Sequence, residues 1–259
     1  MMMSTRFFTF FLSLIFSTTA FAQLTPPGLG ETETAFWSAI GVSQKLDEKN
    51  TSKTYFGKGY ISGTENGNPF NEPSIMVLNQ EFYHKLNSKW QYSYALSYRS
   101  QHEYDERFDE PQDIGIKQEF RVYGRISYTV PVWNLKWTTT LRQEVRKFYT
   151  NDFAQVPEDL QLRTRLKTQL FVPLDNDSEN SIIGSAEALF AMTTDSNEGW
   201  NSPEYKEARF CLYYSYSPNE VPVTFDIGYM NDLIGNGHDT SDAGYLAMDI
   251  IIKDPFSHS

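Results

Sequence analysis

The sequence has little cysteine, a shortage of basic residues, and no long apolar run beyond its first 22 residues. Its 259 residues include one cysteine, Cys211, which excludes an internal disulfide framework and a cysteine-cluster metal site. Lysine and arginine number 22 against 33 acidic residues, so the basic surface that general nucleic-acid binding needs is lacking. A mean hydropathy of -0.49 is unlike that of a helical membrane protein. Aromatic residues, at 15%, are abundant, and 40% hydrophobic content is ordinary for a chain that folds.

The first 22 residues have the three parts of a secretory signal peptide. Arg6 supplies the positive charge, Phe7 to Phe16 form the apolar run, and Ala20-Phe21-Ala22 is a small-residue cleavage site. The alternative, a helical membrane anchor, needs about 20 apolar residues, more than this run provides. We therefore predict a mature chain that begins at Gln23 and, having lost Arg6, carries a net charge of -12 instead of -11.

The rest of the chain alternates apolar and polar residues with a period of two, which is typical of β-strands. In Lys89 to Ser100, for example, Trp90, Tyr92 and Tyr94 share one face, with polar residues between them. Eleven segments show this pattern. No segment long enough to form a helix has helical periodicity. We predict a short N-terminal segment over residues 23–34 and one all-β domain over residues 35–259.

Alternation alone does not separate a soluble β-protein from a membrane barrel, because both have one apolar face. Several segments keep the pattern for ten or more residues, the length that a tilted membrane-spanning strand needs. Short turns alternate with longer polar loops along the chain, as in outer-membrane barrels. Aromatic residues near the segment ends, such as Trp90, Trp133 and Tyr149, would form girdles at the lipid interfaces. We predict an antiparallel transmembrane β-barrel in a bacterial outer membrane.

The number of strands is the uncertain element of this prediction. Eleven segments are visible, whereas single-chain bacterial barrels have an even number of strands. Either a further strand lies within Gln23 to Thr34 or inside a long loop, or one weak segment is not a strand. We predict about twelve strands, with ten as the alternative.

Charged residues on three consecutive segments share one face, opposite the apolar face. Placed towards lipid near the midplane, each arginine would cost about 2–4 kcal/mol, so we expect these side chains to point into the lumen. They could form a charged constriction that selects anions or polar solutes, or a salt-bridged plug that fills a narrow barrel. The predicted lumen residues are Glu119, Arg121, Arg125, Arg142, Glu144, Arg146, Arg163 and Arg165.

Several short sequences resemble a bacterial envelope family known as domain of unknown function 2490. They are the run from Asn79 to Trp90, Tyr98-Arg99, Glu119-Phe120-Arg121, and Leu160 to Arg165. The resemblance covers nearly the whole predicted mature chain and implies a secreted, β-rich barrel. The family name carries no activity, so the resemblance supplies no catalytic residue.

The sequence contains no convincing catalytic or metal-binding set. No histidine is followed two residues later by the serine that outer-membrane acyl hydrolases pair with it. His238 with the carboxylates of Gly235 to Asp242 could form a protease-like or cation-binding loop, but tight loops commonly have this composition. The acidic stretch from His102 to Asp113 could bind Ca²⁺, although a solvated loop is the simpler interpretation. No cofactor, metal or catalytic residue is therefore predicted.

Three functions remain open at this point. The favoured one is a non-enzymatic barrel with a small pore for polar or anionic solutes. The alternatives are a closed structural or interaction barrel associated with envelope assembly and, less favoured, a lipid or peptide hydrolase. The expected partners are outer-membrane lipid and either small polar solutes or envelope proteins, with no nucleic acid.

Overall fold

A computed structural model describes residues 26–27, 32, 34–62, 68–105, 112–195, 199–236 and 239–257 of the chain. The predicted signal peptide, Met1 to Ala22, lies outside these described residues. Within them the protein is all-β and contains no helix. No helix in the described part is therefore long and apolar enough to cross a membrane.

The described residues form twelve strands, most of them far longer than the 5–6 residues usual in soluble proteins. The shortest is a two-residue strand, β9, and the longest, β5, has 21 residues. The strands are β1 (Thr34–Lys45), β2 (Asn50–Ile61), β3 (Glu72–Lys85), β4 (Trp90–Asp105), β5 (Gln112–Val132), β6 (Leu135–Tyr149), β7 (Gln155–Pro173), β8 (Asn180–Asp195), β9 (Gly199–Trp200), β10 (Glu204–Tyr216), β11 (Val223–Asn236) and β12 (Asp239–Lys253).

Eleven of the strands seen in the described residues close into a barrel, which confirms the predicted all-β barrel. Consecutive long strands pair antiparallel, and β10 pairs with β8 across the short β9. The barrel closes through a parallel pairing of β1 with β12, from Thr34 opposite Gly244 to Ser43 opposite Lys253. The predicted extra strand is β9, which lies inside a long loop but does not take part in closure. Because the number of barrel strands is odd and consecutive strands are antiparallel, β1 and β12 run in the same direction. The barrel therefore closes through a parallel pair.

The barrel wall turns its apolar face outwards. Large apolar side chains are exposed around the circumference, among them Leu96 at 65%, Leu212 at 60% and Leu166 at 53%. The residues directly before and after each of these leucines in the sequence are more buried, as the alternation of side chains along a strand requires. Aromatic pairs such as Trp90 with Tyr128, whose ring centroids lie 4.7 Å apart, are also on the outer surface. The outside of the barrel is thus a largely apolar belt, with a few polar residues such as Lys58 and Gln143 between the apolar ones.

The connections at the two ends of the barrel differ less in length than the sequence predicted. The stretch from Gly235 to Asp242, interpreted from the sequence as a loop, is mostly strand: β11 extends to Asn236 and β12 begins at Asp239. That expectation was wrong because Gly and Asn were interpreted as loop residues although they are paired in the ladder.

At the opposite, short-turn end, the turn after β7 is held by Asp175, whose pKa is lowered by hydrogen bonds from the side chain and backbone of Asn180.

The interior divides into an apolar part and a charged part. The apolar part lies beside the parallel closure, where small and large inward residues alternate on β12 and β1, including Ala35, Trp37, Tyr245 and Ala247. Trp37 fits there because it lies against Gly57 of β2, where a Cβ atom would approach its ring to 2.3 Å. Most of the buried charged residues line the remaining interior, on β3 to β8 and β10, whereas Asp226 and Asp232 lie on β11 and Asp249 on β12.

Candidate functional site

All eight predicted lumen residues are inward-facing side chains of β5, β6 and β7. Their outward neighbours, such as Phe120, Val122 and Leu141, are exposed on the apolar belt. Inward and outward positions are therefore clearly separated on these three strands. Whether they line a pore is a separate question, which depends on how they pack.

Glu144 is the centre of a group of ion pairs that links β5, β6 and β7. One of its carboxylate oxygens lies 2.6 Å from Nε of Arg142 and 2.8 Å from Nε of Arg165. The other lies 2.9 Å from Nη1 of Arg121. The side chains of Glu144 and Arg121 are both 0% exposed. A buried carboxylate that is shared by three arginines satisfies the requirement that buried charges be paired.

Glu119 forms a second centre on the same face. Its carboxylate accepts two hydrogen bonds from Arg146, at 2.9 and 2.7 Å, and one from Arg121 at 2.7 Å. Arg146 also donates to Gln161, which accepts a hydrogen bond of 2.6 Å from Arg163. Arg121 therefore bridges the Glu119 and Glu144 groups. We refer to the eight predicted residues together as the Arg/Glu network.

Further charged residues join this network from strands with weaker alternation. Arg125 lies 3.1 Å from Glu81 of β3, a carboxylate that also accepts hydrogen bonds from Ser93 and Tyr123. Glu187 of β8 lies 2.9 Å from Arg165. These partners were not predicted because the alternation of β3 and β8 is weaker, although each residue has the inward parity of its own strand.

Arg209 of β10 anchors the chain that precedes β1. It ion-pairs with Glu207 and lies 3.3 Å from Asp232 of β11. Its Nη1 also donates a hydrogen bond of 3.2 Å to the carbonyl oxygen of Pro26. Pro26 is buried, so part of the predicted N-terminal segment lies inside the barrel and adds to the side chains that fill it.

A cavity of about 190 Å³ lies between the Arg/Glu network and the short-turn end of the barrel. Arg125, Arg142 and Arg165 contribute to its inner end. Asn87 and Lys89, in the exposed turn between β3 and β4, line it at the short-turn end. We call this cavity the basic chamber, because most of its charged lining residues are lysine or arginine.

The family model for a protein of unknown function, DUF2490, matches residues 34–242, from the first residue of β1 into β12. The chain belongs to this family. The match confirms the resemblance drawn from the sequence. No curated protein matches the sequence.

In this DUF2490 barrel the other sequence candidates are only partly within the described residues. His238 and residues 106–111 of the acidic stretch lie outside them. Asp242 is described, and it accepts a hydrogen bond of 3.4 Å from Asn231. Cys211 is buried on the inward face within the apolar part of the interior. In the part of the chain that the structure describes, no three His, Cys, Asp or Glu residues are grouped as metal ligands.

Proposed function

We propose that this protein is a closed β-barrel of the bacterial outer membrane, in which the Arg/Glu network blocks the lumen. The blocked lumen leaves the basic chamber open only towards the periplasm, so the barrel does not conduct solutes. Of the functions predicted from the sequence, this proposal favours a closed barrel over a small pore.

The burial of the network carries the proposal. A side chain that lines a water-filled pore contacts the water in that pore, yet Arg121 and Glu144 are 0% exposed. Ion pairs also link strands that are not adjacent in the barrel, as between Arg125 of β5 and Glu81 of β3. Small barrels whose interiors are filled by side chains in this way are packed structures without a channel.

The outer surface supports the membrane location. Exposed contiguous apolar patches of more than a few hundred Å² are rare on soluble monomers, whereas an apolar belt bounded by aromatic residues is the normal exterior of an outer-membrane barrel. A closed barrel also pairs its backbone groups between strands, which a lipid environment requires. The predicted signal peptide is consistent with export. Short turns face the periplasm in such barrels, which sets the orientation of the chamber.

Planar-bilayer recording of the refolded full chain tests the proposal. We expect the wild-type protein to give no steady conductance. We expect a variant with Arg121→Ala, Arg142→Ala and Arg163→Ala to conduct, because three long side chains that fill the lumen are removed. Heat-modifiable migration on gels checks that each protein has folded. Steady, ion-selective conductance by the folded wild type would establish a pore and refute the closed barrel, whatever the behaviour of the variant.

A further inference from the structure

The charges that line the basic chamber are strongly unbalanced. Ten lysine or arginine side chains contribute to its lining, against two carboxylates, Glu81 and Glu187. The whole chain, by contrast, carries a net charge of -11. The positive charge is therefore concentrated locally, inside a protein that is acidic overall.

Four of these cations are held by carboxylates of the barrel itself. Arg125, Arg142, Arg165 and Arg209 each lie within ion-pair distance of a glutamate or aspartate. The chamber has only two carboxylates of its own, and both are already in this group of ion pairs. Lys89, Arg99 and Lys136 also line the chamber and do not belong to this group of ion pairs.

Arg99 and Lys136 show the imbalance most directly. Arg99 is opposite Glu119 in the β4–β5 register, but Glu119 is bound to Arg121 and Arg146 instead. The Nε of Arg99 is buried and has no hydrogen-bond partner among the described residues. Lys136, near the short turn before β6, lies over the ring of Phe171 at 5.4 Å. A buried positive charge is unfavourable without an anionic partner, so Arg99 favours an anion in the chamber. Lys136 is half-buried and adds positive charge to the same lining.

The size and the remaining lining define the class of anion. A volume of about 190 Å³ is several times the roughly 30 Å³ that one water occupies in the liquid, which suits a small molecule but not a polymer. Hydroxyl and amide groups of Ser127, Thr138, Thr140 and Gln91 also line the chamber and can donate hydrogen bonds to oxygen. Arginine and lysine are the side chains that best bind carboxylate and phosphate oxygens.

We propose that the basic chamber binds a small oxyanion that carries at least two negative charges and enters from the short-turn end. Phosphate groups and polycarboxylates share this chemistry. The proposal goes beyond the closed barrel, since the chamber could bind an anion whether or not the lumen conducts. The orientation of the entry towards the periplasm does rest on the proposed function.

Isothermal titration of the refolded full chain with pyrophosphate and, separately, with citrate tests this site. We expect at least one of the two probes to bind with an affinity that falls steeply as salt is raised, and the tighter probe identifies phosphate or carboxylate as the preferred group. Lys89→Gln with Lys136→Gln should weaken binding by tenfold or more. The matched control is Lys58→Gln with Lys147→Gln, which removes two positive charges from the outer surface and should leave the affinity unchanged.

Two outcomes would overturn the site: binding of neither probe to the folded wild type, or equal weakening in the chamber variant and the control. Arg99→Gln, tested alone, gives a second readout at the inner end of the chamber, and gel heat-modifiability confirms folding in each case. Binding together with steady conductance would refute the closed barrel but keep the site. A folded barrel that neither binds nor conducts would refute the site but keep the closed barrel.

Discussion

Side chains in the apolar part of the interior pack closely against one another. Trp37 is 1% exposed, and its Nε1 donates a hydrogen bond of 3.1 Å to the buried carboxylate of Asp249. The ring can lie flat against β2 because Gly57 has no side chain. Gly228 is a second such position, beside the ring of Tyr213. Close packing of this kind makes the interior sensitive to one added methyl group.

Gly57→Ala tests this packing. The new Cβ would lie 2.3 Å from the Trp37 ring, so we expect a loss of about 1–3 kcal/mol from the free energy of unfolding, measured by urea titration of the refolded barrel. Gly184→Ala is the matched control, because its Cβ meets nothing within 4 Å, and it should leave stability unchanged. Equal stability of the two variants would contradict the packing. Replacing Trp37 by Phe in the Gly57→Ala chain should recover part of the loss.

Among the charged residues, Glu144 contacts three arginines, so its replacement tests how much the network contributes to stability. Glu144→Gln would leave Arg121, Arg142 and Arg165 without the negative charge that they share. Removing one partner of a buried ion pair typically costs about 3–5 kcal/mol, and we expect a loss of this size in the same urea titration. Glu220→Gln, in the exposed turn after β10, should change stability by less than about 0.5 kcal/mol. A Glu144→Gln chain as stable as this control would mean that the network contributes little.

At the scale of the strands, alternation predicted most of the architecture. A period of two is a local property, so eleven β-segments, and the separation of the two faces of β5, β6 and β7, could be predicted without knowing which strands are neighbours. Closure is a long-range property. Nothing within Thr34–Lys45 or Asp239–Lys253 specifies that these two strands pair, or that they pair parallel. For the same reason, ion-pair partners on other strands, such as Glu81 and Glu187, were not predicted.

A crosslink between β1 and β12 tests the parallel closure. In a Cys211→Ser chain, Ser38→Cys and Met248→Cys place two thiols at directly paired outward positions, within the range of Cα separations that a disulfide needs. We expect rapid oxidation to a species resistant to unfolding on a non-reducing gel. Ser38→Cys with Ile250→Cys, offset by two residues and hence about 8 Å apart, should oxidise more slowly. Equal rates would show that the register differs.

For the molecule as a whole, the distribution of polarity is the reverse of that in a soluble protein. Apolar side chains are exposed around the outside, whereas Glu144, Arg121, Asp232 and Asp249 are buried inside. In water this arrangement would expose a large apolar surface while desolvating charges, so neither face would be in its favoured environment. In a bilayer the outer face is matched to lipid. The interior charges then need partners, which the ion-paired network supplies for Glu144 and Arg121 and the indole N–H of Trp37 supplies for Asp249. This distribution of polarity supports the proposed outer-membrane location.

Arginine substitutions on the outer surface test whether the apolar belt contacts lipid. Leu166 and Leu174 are similarly exposed, at 53% and 57%, but Leu166 lies within β7 whereas Leu174 lies in the short turn that follows it. In phospholipid vesicles, Leu166→Arg should destabilise the barrel by about 2–4 kcal/mol and Leu174→Arg by about 0–1 kcal/mol. In a protein whose belt faced water, both substitutions would be nearly neutral, because exposed positions tolerate charge. A difference between the two variants that appears in vesicles would therefore support a membrane-embedded belt, and its absence would count against the outer-membrane location.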